Sequence, residues 1–240
     1  LQKILDHQSD EGWYDEYGGA DPGYQTHGSF YLARYLELSD DERLEPSLEK
    51  SFGFLAHFIH ADRSLGGEYT SRNTQTYYPA AFEMMSRTSG RAHWIAREML
   101  SAVSELSAAG HGTVDAYNYY PLLNNYVFAY RACMTEGHRA ASAKAPERDV
   151  GATHFPKAGI LKVRRPKYEV YVGLKKGGVV KAFDRESRKI VLNDCGYIGK
   201  LPSGKLVSSQ WIDEDTQVEL LEDRVIIRGK FFRINTIVMK

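Results

Sequence analysis

The side chains best suited to chemistry lie in one short segment, Gly12-Trp-Tyr-Asp-Glu-Tyr-Gly-Gly-Ala-Asp-Pro-Gly-Tyr-Gln-Thr-His27. Its glycines and proline interrupt regular secondary structure and force a compact loop. Tyrosine, histidine and carboxylates can transfer protons, and the flat faces of tyrosine and tryptophan can stack on ligands such as sugar rings. The segment therefore combines proton-transfer groups with candidate binding surfaces.

The same combination returns about fifty residues further on. The pair Glu68-Tyr69 follows Glu16-Tyr17 at this interval, and each pair precedes a polar loop, a tyrosine and a helical pattern. A third and fainter copy spans residues 112–120. A loop-helix-turn-helix unit that repeats in this way predicts stacked helical hairpins with all the recurring loops at one end of the stack.

The elements that must hold these loops are predicted from periodicity and turn residues. Asp21 and Pro22 are suited to cap a helix that carries Tyr24, and helical patterns continue through residues 1–137. Residues 138–153 have the composition of a linker, and residues 154–240 read as short strands separated by turns. We therefore expect a multidomain α and β protein, with an N-terminal helical-hairpin (α/α) toroid-type arc followed by an antiparallel β-sandwich.

Composition narrows the possible partners. Lys plus Arg and Asp plus Glu are equal at 31 each, so the charge balance does not indicate a nucleic-acid or membrane-surface binder. No apolar run is long enough to predict a membrane span, and the two cysteines show no metal-ligand spacing. No cofactor and no metal are predicted, and the oligomeric state is left open.

Two segments resemble the heparinase II/III-like polysaccharide lyases. Residues 10–24 are similar to that family's Asp-Gly-(Ser/Phe)-aromatic, Glu and Tyr-His segment at a helix start. Residues 154–164, His-Phe-Pro-Lys-Ala-Gly-Ile-Leu-Lys-Val-Arg, are similar to the Phe-Pro-x-x-Gly-hydrophobic-x-x-x-Arg that opens the family's sandwich. The resemblance covers the whole chain at the level of architecture. It implies an (α/α) toroid joined to a β-sandwich, and a periplasmic or secreted enzyme.

What the resemblance implies for function is β-elimination on an acidic, uronate-containing oligo- or polysaccharide. It carries Tyr24 onto the family's catalytic tyrosine, which acts as the general acid and can also serve as the base. Gln25 stands where the family often has histidine, and His27 follows two residues later. The family's Asn-Asn-His segment, which neutralises the uronate carboxylate, would precede Leu1, so the chain is expected to hold only half of such a site.

The residues themselves suggest the supporting roles. Tyr24 can act as acid or base if a cation lowers its pKa from about 10, and Arg72 is the best candidate for that cation. Asn73 could donate to the substrate carboxylate, and His27 offers a second proton carrier. The candidate substrate-binding residues are Trp13, Tyr17, Asp21, Glu68, Tyr69, Asn73, Tyr77, Tyr78 and Tyr117.

Two other functions stay open at this stage. Glu16 and Glu68 could flank a glycosidic bond as the acid and the base or nucleophile of a glycoside hydrolase. Alternatively, both glutamates bond neighbouring loop amides, and the chain is a non-catalytic glycan-binding or assembly protein. The segment Lys175-Lys-Gly-Gly178 is predicted to be a hairpin turn with solvated lysines, because no helix follows it.

Overall fold

The computed structural model describes residues 1–135, 142–143, 145 and 150–234. Over these residues the chain is a mixed α and β protein with six α-helices and antiparallel sheets. Most of the predicted linker, residues 138–141, 144 and 146–149, lies outside the described residues, as do residues 235–240. The helices are α1 (Gln2–Asp6), α2 (Pro22–Ser39), α3 (Leu44–Leu55), α4 (Ala80–Met85), α5 (Gly90–Ser104) and α6 (Ala116–Thr135), and a 3-10 turn (Ala56–Phe58) follows α3.

The start of α2 confirms the predicted cap. Asp21 is the N-cap residue, and its side chain accepts a hydrogen bond from the backbone N–H of Tyr24. Pro22 occupies the first turn, where its missing N–H costs nothing because that group has no helical partner. Asp40 ends the helix in the left-handed conformation, with φ of 51°. Local sequence chemistry therefore sets both ends of the helix that carries Tyr24 and His27.

The helices pack as a layer of neighbouring pairs. Helix α2 contacts α3 and α4, and α4 in turn contacts α5 and α6. The apolar face of α3 is fully buried, and the ring of Phe52 lies 5.2 Å from that of Phe82 on α4. Each large apolar side chain buried in this way stabilises the fold by about 1.5–3 kcal/mol.

The second half of the chain forms an antiparallel five-stranded sheet in which strands adjacent in sequence pair with one another. The first strand begins at Gly151, inside the residues predicted as linker, and its alternating exposure matches a strand with one buried face. A three-stranded and a two-stranded sheet follow. The strands are β1 (Gly151–Phe155), β2 (Ile160–Arg164), β3 (Tyr168–Gly173), β4 (Val179–Asp184), β5 (Lys189–Asp194), β6 (Ile198–Lys200), β7 (Leu206–Ser208), β8 (Gln217–Leu220), β9 (Val225–Arg228) and β10 (Phe232–Arg233).

One face of the five-stranded sheet packs directly on the helical layer. Phe155 of β1 lies 5.2 Å from Phe54 and 5.3 Å from Phe58, measured between ring centroids. Tyr171 and Phe183, on β3 and β4, belong to the same buried cluster. The helices and the sheet therefore share one continuous hydrophobic core, which holds the loops between them in a fixed position.

Candidate functional site

Three loops meet where the helical layer faces the sheet. The first loop comprises residues 12–21 and precedes α2, the second comprises residues 59–79 and precedes α4, and the third comprises residues 105–115 and precedes α6. They correspond to the three recurring segments of the sequence. Because each loop leads into a helix N-terminus, backbone N–H groups without helical partners lie close to all three.

Backbone hydrogen bonds connect the three loops in series. The N–H of Ser71 donates to the carbonyl of Ala20 at 3.0 Å, and the Ser71 hydroxyl donates to the carbonyl of Glu16 at 2.8 Å. The second and third loops meet where the N–H of Tyr77 donates to the carbonyl of Ala109 at 3.3 Å. The first two recurring segments are therefore neighbours in space, whereas the contact with the third loop is made at Ala109, before the third copy at residues 112–120.

Asp21 is the main link between the first and second loops. One carboxylate oxygen accepts from the Tyr24 N–H at 3.0 Å. The other accepts from the N–H of Arg72 at 2.9 Å, from the N–H of Thr74 at 3.2 Å and from the hydroxyl of Thr70 at 3.0 Å. Asp21 is buried, and four protein donors occupy it, so it organises the site instead of binding substrate as the sequence suggested.

Two glycines allow the close approach of these loops. A side chain at Gly23 would lie 2.5 Å from the methyl group of Thr74, and one at Gly66 would lie 2.6 Å from the carbonyl oxygen of Thr74. Gly66 also has φ of 61°, which favours glycine. Sequence analysis did not single out Thr74 or Gly66, because nothing local to either residue shows which loop it faces.

Tyr24 and His27 lie one turn apart on α2. The side chain of Tyr24 is 36% exposed, whereas the ring of His27 is half-buried and stacks on Tyr78 at 4.1 Å and 12°. The Nε2 atom of His27 is buried and has no hydrogen-bond partner among the described residues. Burial lowers the pKa of His27, so its imidazole is neutral near pH 7. Burial, followed by the nearby Tyr24, Tyr31 and Asp115, raises the pKa of Tyr78.

Arg72 contacts a different tyrosine from the one expected. Its guanidinium carbon lies 4.2 Å from the ring centroid of Tyr17, a cation–π contact between two exposed side chains. Tyr24, the partner expected from the sequence, is instead linked to Arg72 through their backbone N–H groups, which share the Asp21 carboxylate. Burial and then the charge of Asp21 raise the pKa of Glu16, and Arg72 opposes this increase.

Lys176 belongs to the site, although its turn was predicted to be solvated. Its ammonium group donates to the carbonyl of Thr70 and to the side chain of Asn73, and the residue is only 6% exposed. Burial lowers the pKa of Lys176 to about 8, against the opposing effect of Asp21 and Glu68. The prediction of a solvated lysine is therefore wrong, because the turn between β3 and β4 packs on the second loop.

Glu68 is held by the sheet. Its Oε2 accepts a hydrogen bond from the ammonium group of Lys181 at 2.9 Å. Its Oε1 accepts from the side-chain amides of Gln75 and Asn193, each at 3.3 Å. Burial acts to raise the pKa of Glu68, but these hydrogen bonds and the charge of Lys181 outweigh it, and the net shift is downward. Glu68 is therefore an ionised and fully engaged carboxylate.

Tyr69 and Tyr77 are core residues and not sugar-stacking surfaces. Each is 2% exposed. The hydroxyl of Tyr69 lies 2.8 Å from Nε2 of His60, and its ring stacks on Tyr171 of the sheet at 5.1 Å. Tyr77 stacks on Phe82 of α4 at 5.6 Å. The prediction that these two rings contact a ligand is therefore wrong, because both side chains are already packed against other protein groups.

The other aromatic candidates differ in exposure. Tyr17 and Tyr117 are 73% and 93% exposed, so their rings are available to a ligand. Trp13 is half-buried, and its indole N–H donates to the carboxylate of Glu11 at 2.9 Å. Tyr78 is buried beneath His27. The site therefore has five accessible residues with reactive or ligand-binding side chains, and we call this set the loop rim: Glu16, Tyr17, Tyr24, Arg72 and Asn73.

The loop rim joins an exposed phenol, an exposed guanidinium and a half-buried carboxyl within loops that the protein holds rigidly. Such a set can transfer a proton and can attract an anionic ligand. In the described part of the chain, no helix is both long and apolar enough to cross a bilayer. Comparison with protein-family models, curated proteins and solved structures finds no match to this chain.

Proposed function

We propose that this chain is part of a carbohydrate-active enzyme that cleaves an acidic, uronate-containing polysaccharide by β-elimination at the loop rim. The finer architecture belongs to the same proposal: the helical layer is an arc of an (α/α) toroid, and the sheets belong to a β-sandwich. The observation that carries the proposal is the shared carboxylate of Asp21, which holds the backbones of Tyr24 and Arg72 together where both side chains are exposed.

The reaction requires a base, an acid and a group that stabilises negative charge. The base removes the proton from the carbon next to the uronate carboxylate. The electron pair left behind forms a carbon–carbon double bond as the bond to the glycosidic oxygen breaks, and that oxygen takes a proton from the acid. Charge that builds up on the carboxylate is stabilised by nearby cations and hydrogen-bond donors.

The loop rim offers a group for each role. The phenol of Tyr24 is exposed enough to reach a substrate, and it is the proton carrier in this proposal. Arg72 supplies positive charge for the substrate carboxylate, with the face of Tyr17 beneath it. The amide of Asn73 lies beside them, and Lys176 fixes its orientation. The neutral imidazole of His27, which is half-buried one turn beyond Tyr24 and lies outside the loop rim, is a second proton carrier in this proposal.

Incubation of the full chain with uronate polymers tests the proposal. The readout is the ultraviolet absorbance of the unsaturated product. We expect Tyr24→Phe to lower the rate about a hundredfold or more, because a positioned acid or base contributes about that factor. The matched control is Tyr35→Phe, an exposed tyrosine on the same helix, which should leave the rate unchanged. An unsaturated product formed equally fast by Tyr24→Phe, or no such product from any uronate polymer, would overturn the proposal.

A glycoside hydrolase is the second candidate, and the pKa values of Glu16 and Glu68 favour it. Burial raises the pKa of Glu16, as an acid requires, and hydrogen bonds from Lys181 and its neighbours lower that of Glu68, as a nucleophile requires. In this function Glu68 would have to give up one of the three hydrogen bonds that it accepts. This function predicts new reducing ends without ultraviolet absorbance, abolished by Glu16→Gln. Binding of the glycan with neither product would instead indicate a non-catalytic glycan-binding protein.

A further inference from the structure

A cavity lies between the second loop, α5, strands β2 and β3 and the turn that joins β4 to β5. Its volume is about 250 Å³, and among the described residues it shares no lining residue with the loop rim. We call it the arginine pocket. Its charged lining residues are four arginines and two glutamates: Arg63, Arg164, Arg185, Arg188, Glu98 and Glu169.

Two of these arginines are paired with carboxylates. Arg164 donates to Glu169 at 3.1 Å, and the buried carboxylate of Glu169 also accepts from the hydroxyl of Tyr171 at 2.5 Å. Arg63 lies 3.9 Å from Glu98, measured between Nε and Oε2. These pairs fix two guanidinium groups in the wall of the pocket and neutralise part of its charge.

The other two arginines have no carboxylate partner in the described structure. Arg185 donates to the backbone carbonyls of Arg165 at 2.5 Å and of Pro166 at 2.9 Å, which hold the side chain without neutralising it. Arg188 is exposed, stands in the turn with φ of 55°, and makes no hydrogen bond or ion pair with a described residue. Both positive charges are therefore available at the pocket.

The pocket keeps an excess of positive charge when its immediate neighbours are included. Glu105 adds a carboxylate by pairing with Arg63 at 2.5 Å, and Lys162 adds a cation 4.0 Å from Glu169. The pocket and these neighbours then contain five cationic side chains, four arginines and one lysine, and three glutamates. Their net charge is therefore two positive charges. A partly enclosed site strengthens the attraction between this excess and an anion, because the local dielectric constant is lower than that of water.

We propose that the arginine pocket binds a tetrahedral oxyanion, that is, a sulfate or phosphate ion or the sulfate or phosphate group of an ester. Planar guanidinium groups donate paired hydrogen bonds that match the oxygen atoms of such a group. Arg185 and Arg188 line the pocket from the turn between β4 and β5, and Arg164 lines it from the end of β2. This site is separate from the proposed elimination and requires no catalysis.

Titration calorimetry on the full chain tests the site. Sodium sulfate is added at constant ionic strength maintained with sodium chloride, and glucose 6-sulfate and unmodified glucose are compared in separate titrations. We expect saturable binding of sulfate and of glucose 6-sulfate, and none of glucose. If both anions bind equally tightly, the pocket recognises the free anion; if the ester binds more tightly, it recognises a sulfated ligand. Both results support the proposal.

Two variants identify the pocket as the site of binding. Arg188→Asn removes an exposed charge and keeps a residue type that tolerates positive φ, so the turn is retained. It should weaken binding roughly tenfold, the effect of losing one charge-assisted hydrogen bond. The matched control is Arg224→Asn, an exposed arginine in the turn between β8 and β9, which should bind as the wild type does. Glu98→Gln removes a negative charge from the wall and should tighten binding several-fold.

The outcomes separate this proposal from the proposed function. Absence of saturable anion binding, or equal weakening by Arg188→Asn and Arg224→Asn, would overturn the arginine pocket. Neither result concerns β-elimination, which is measured by the unsaturated product and by Tyr24→Phe. Thermal unfolding of each variant, compared with wild type, confirms that a change in binding does not arise from loss of the fold.

Discussion

Lys181 of β4 donates a hydrogen bond of 2.9 Å to Glu68 of the second loop, so the sheet directly holds a loop of the helical layer. The side chain of Lys181 is almost completely buried and that of Glu68 is largely so. A side chain at the neighbouring Gly67 would lie 2.7 Å from the Lys181 ammonium group, and the φ of 118° at this position favours glycine. This ion pair keeps the carboxylate of Glu68 ionised and bound to the sheet.

We predict that Glu68→Gln destabilises the protein by about 2–4 kcal/mol, because it leaves the buried charge of Lys181 without its anionic partner. Denaturation in urea measures the free energy of unfolding. The double variant Glu68→Gln with Lys181→Met should recover much of the loss, since no unpaired charge is then buried. A Glu68→Gln variant of wild-type stability that has lost hydrolytic activity would instead assign Glu68 a catalytic role.

The carboxylate of Asp21 should matter more than an ordinary helix cap. Asp21→Ala removes the cap of α2 and also leaves the buried donors of the second loop without an acceptor, so we expect a loss of about 2–4 kcal/mol in unfolding free energy. Ser89→Ala is the control, because Ser89 caps α5 through the N–H of Ala92. That change should lower the free energy of unfolding by about 1 kcal/mol. Equal losses in the two variants would show that Asp21 serves only as a cap.

Lys176 should make stability depend on pH in the alkaline range. Below pH 8 both the folded and the unfolded chain carry the ammonium charge, and folding bears the full cost of burying it. Between about pH 8 and the ordinary pKa of 10.5, only the unfolded chain binds this proton, so the contribution of Lys176 to stability rises with pH. From pH 7.5 to pH 9.5 we expect wild type to gain roughly 1–2 kcal/mol relative to Lys176→Met.

The neighbouring lysine provides the control for this measurement. Lys175 occupies the same turn, but its ammonium group pairs with Glu214 near the surface. Urea denaturation of Lys175→Met across the same pH range should parallel wild type. If Lys176→Met also parallels wild type, the lowered pKa of Lys176 does not contribute to stability.

His27 should make the protein sensitive to acid. Because burial lowers the pKa of His27 below its ordinary value of 6.5, the unfolded chain binds this proton more readily, and stability is lost as pH falls through 6.5. In His27→Phe the ring can still stack on Tyr78, and the buried nitrogen without a partner is removed. We expect unchanged or higher stability at pH 7.5.

The dependence on pH distinguishes this role from packing alone. Between pH 7 and pH 5.5, the slope of stability against pH should fall in His27→Phe by up to about 1.4 kcal/mol per pH unit, the limit for one proton. His57 and His60, whose pKa values are also lowered by burial, keep part of the slope in the variant. The exposed His7, replaced by Phe, controls for the substitution. An identical slope in His27→Phe and wild type would contradict the prediction.

The amino-acid sequence by itself determined the features that depend on close neighbours in the chain. Asp21 and Pro22 predicted the start of α2, and the β-branched or aromatic runs at residues 168–174 and 178–183 predicted β3 and β4 to within one residue at each end. The similarity between the first two loops predicted that they would be neighbours, as the hydrogen bond between Ser71 and Ala20 shows. Caps, turns and periodicity act over a few residues, so the sequence contains these signals in full.

Only the tertiary structure decided which of the candidate side chains are accessible and which are paired. Lys176 and Asn73 are 103 residues apart in the chain, and Lys181 and Glu68 are 113 apart, yet each pair is in contact. Tyr69 shows the same dependence, because its ring is buried only when the sheet packs on the second loop. Burial and ion pairing depend on surfaces that folding brings together, and neither composition nor spacing along the chain specifies which surfaces meet.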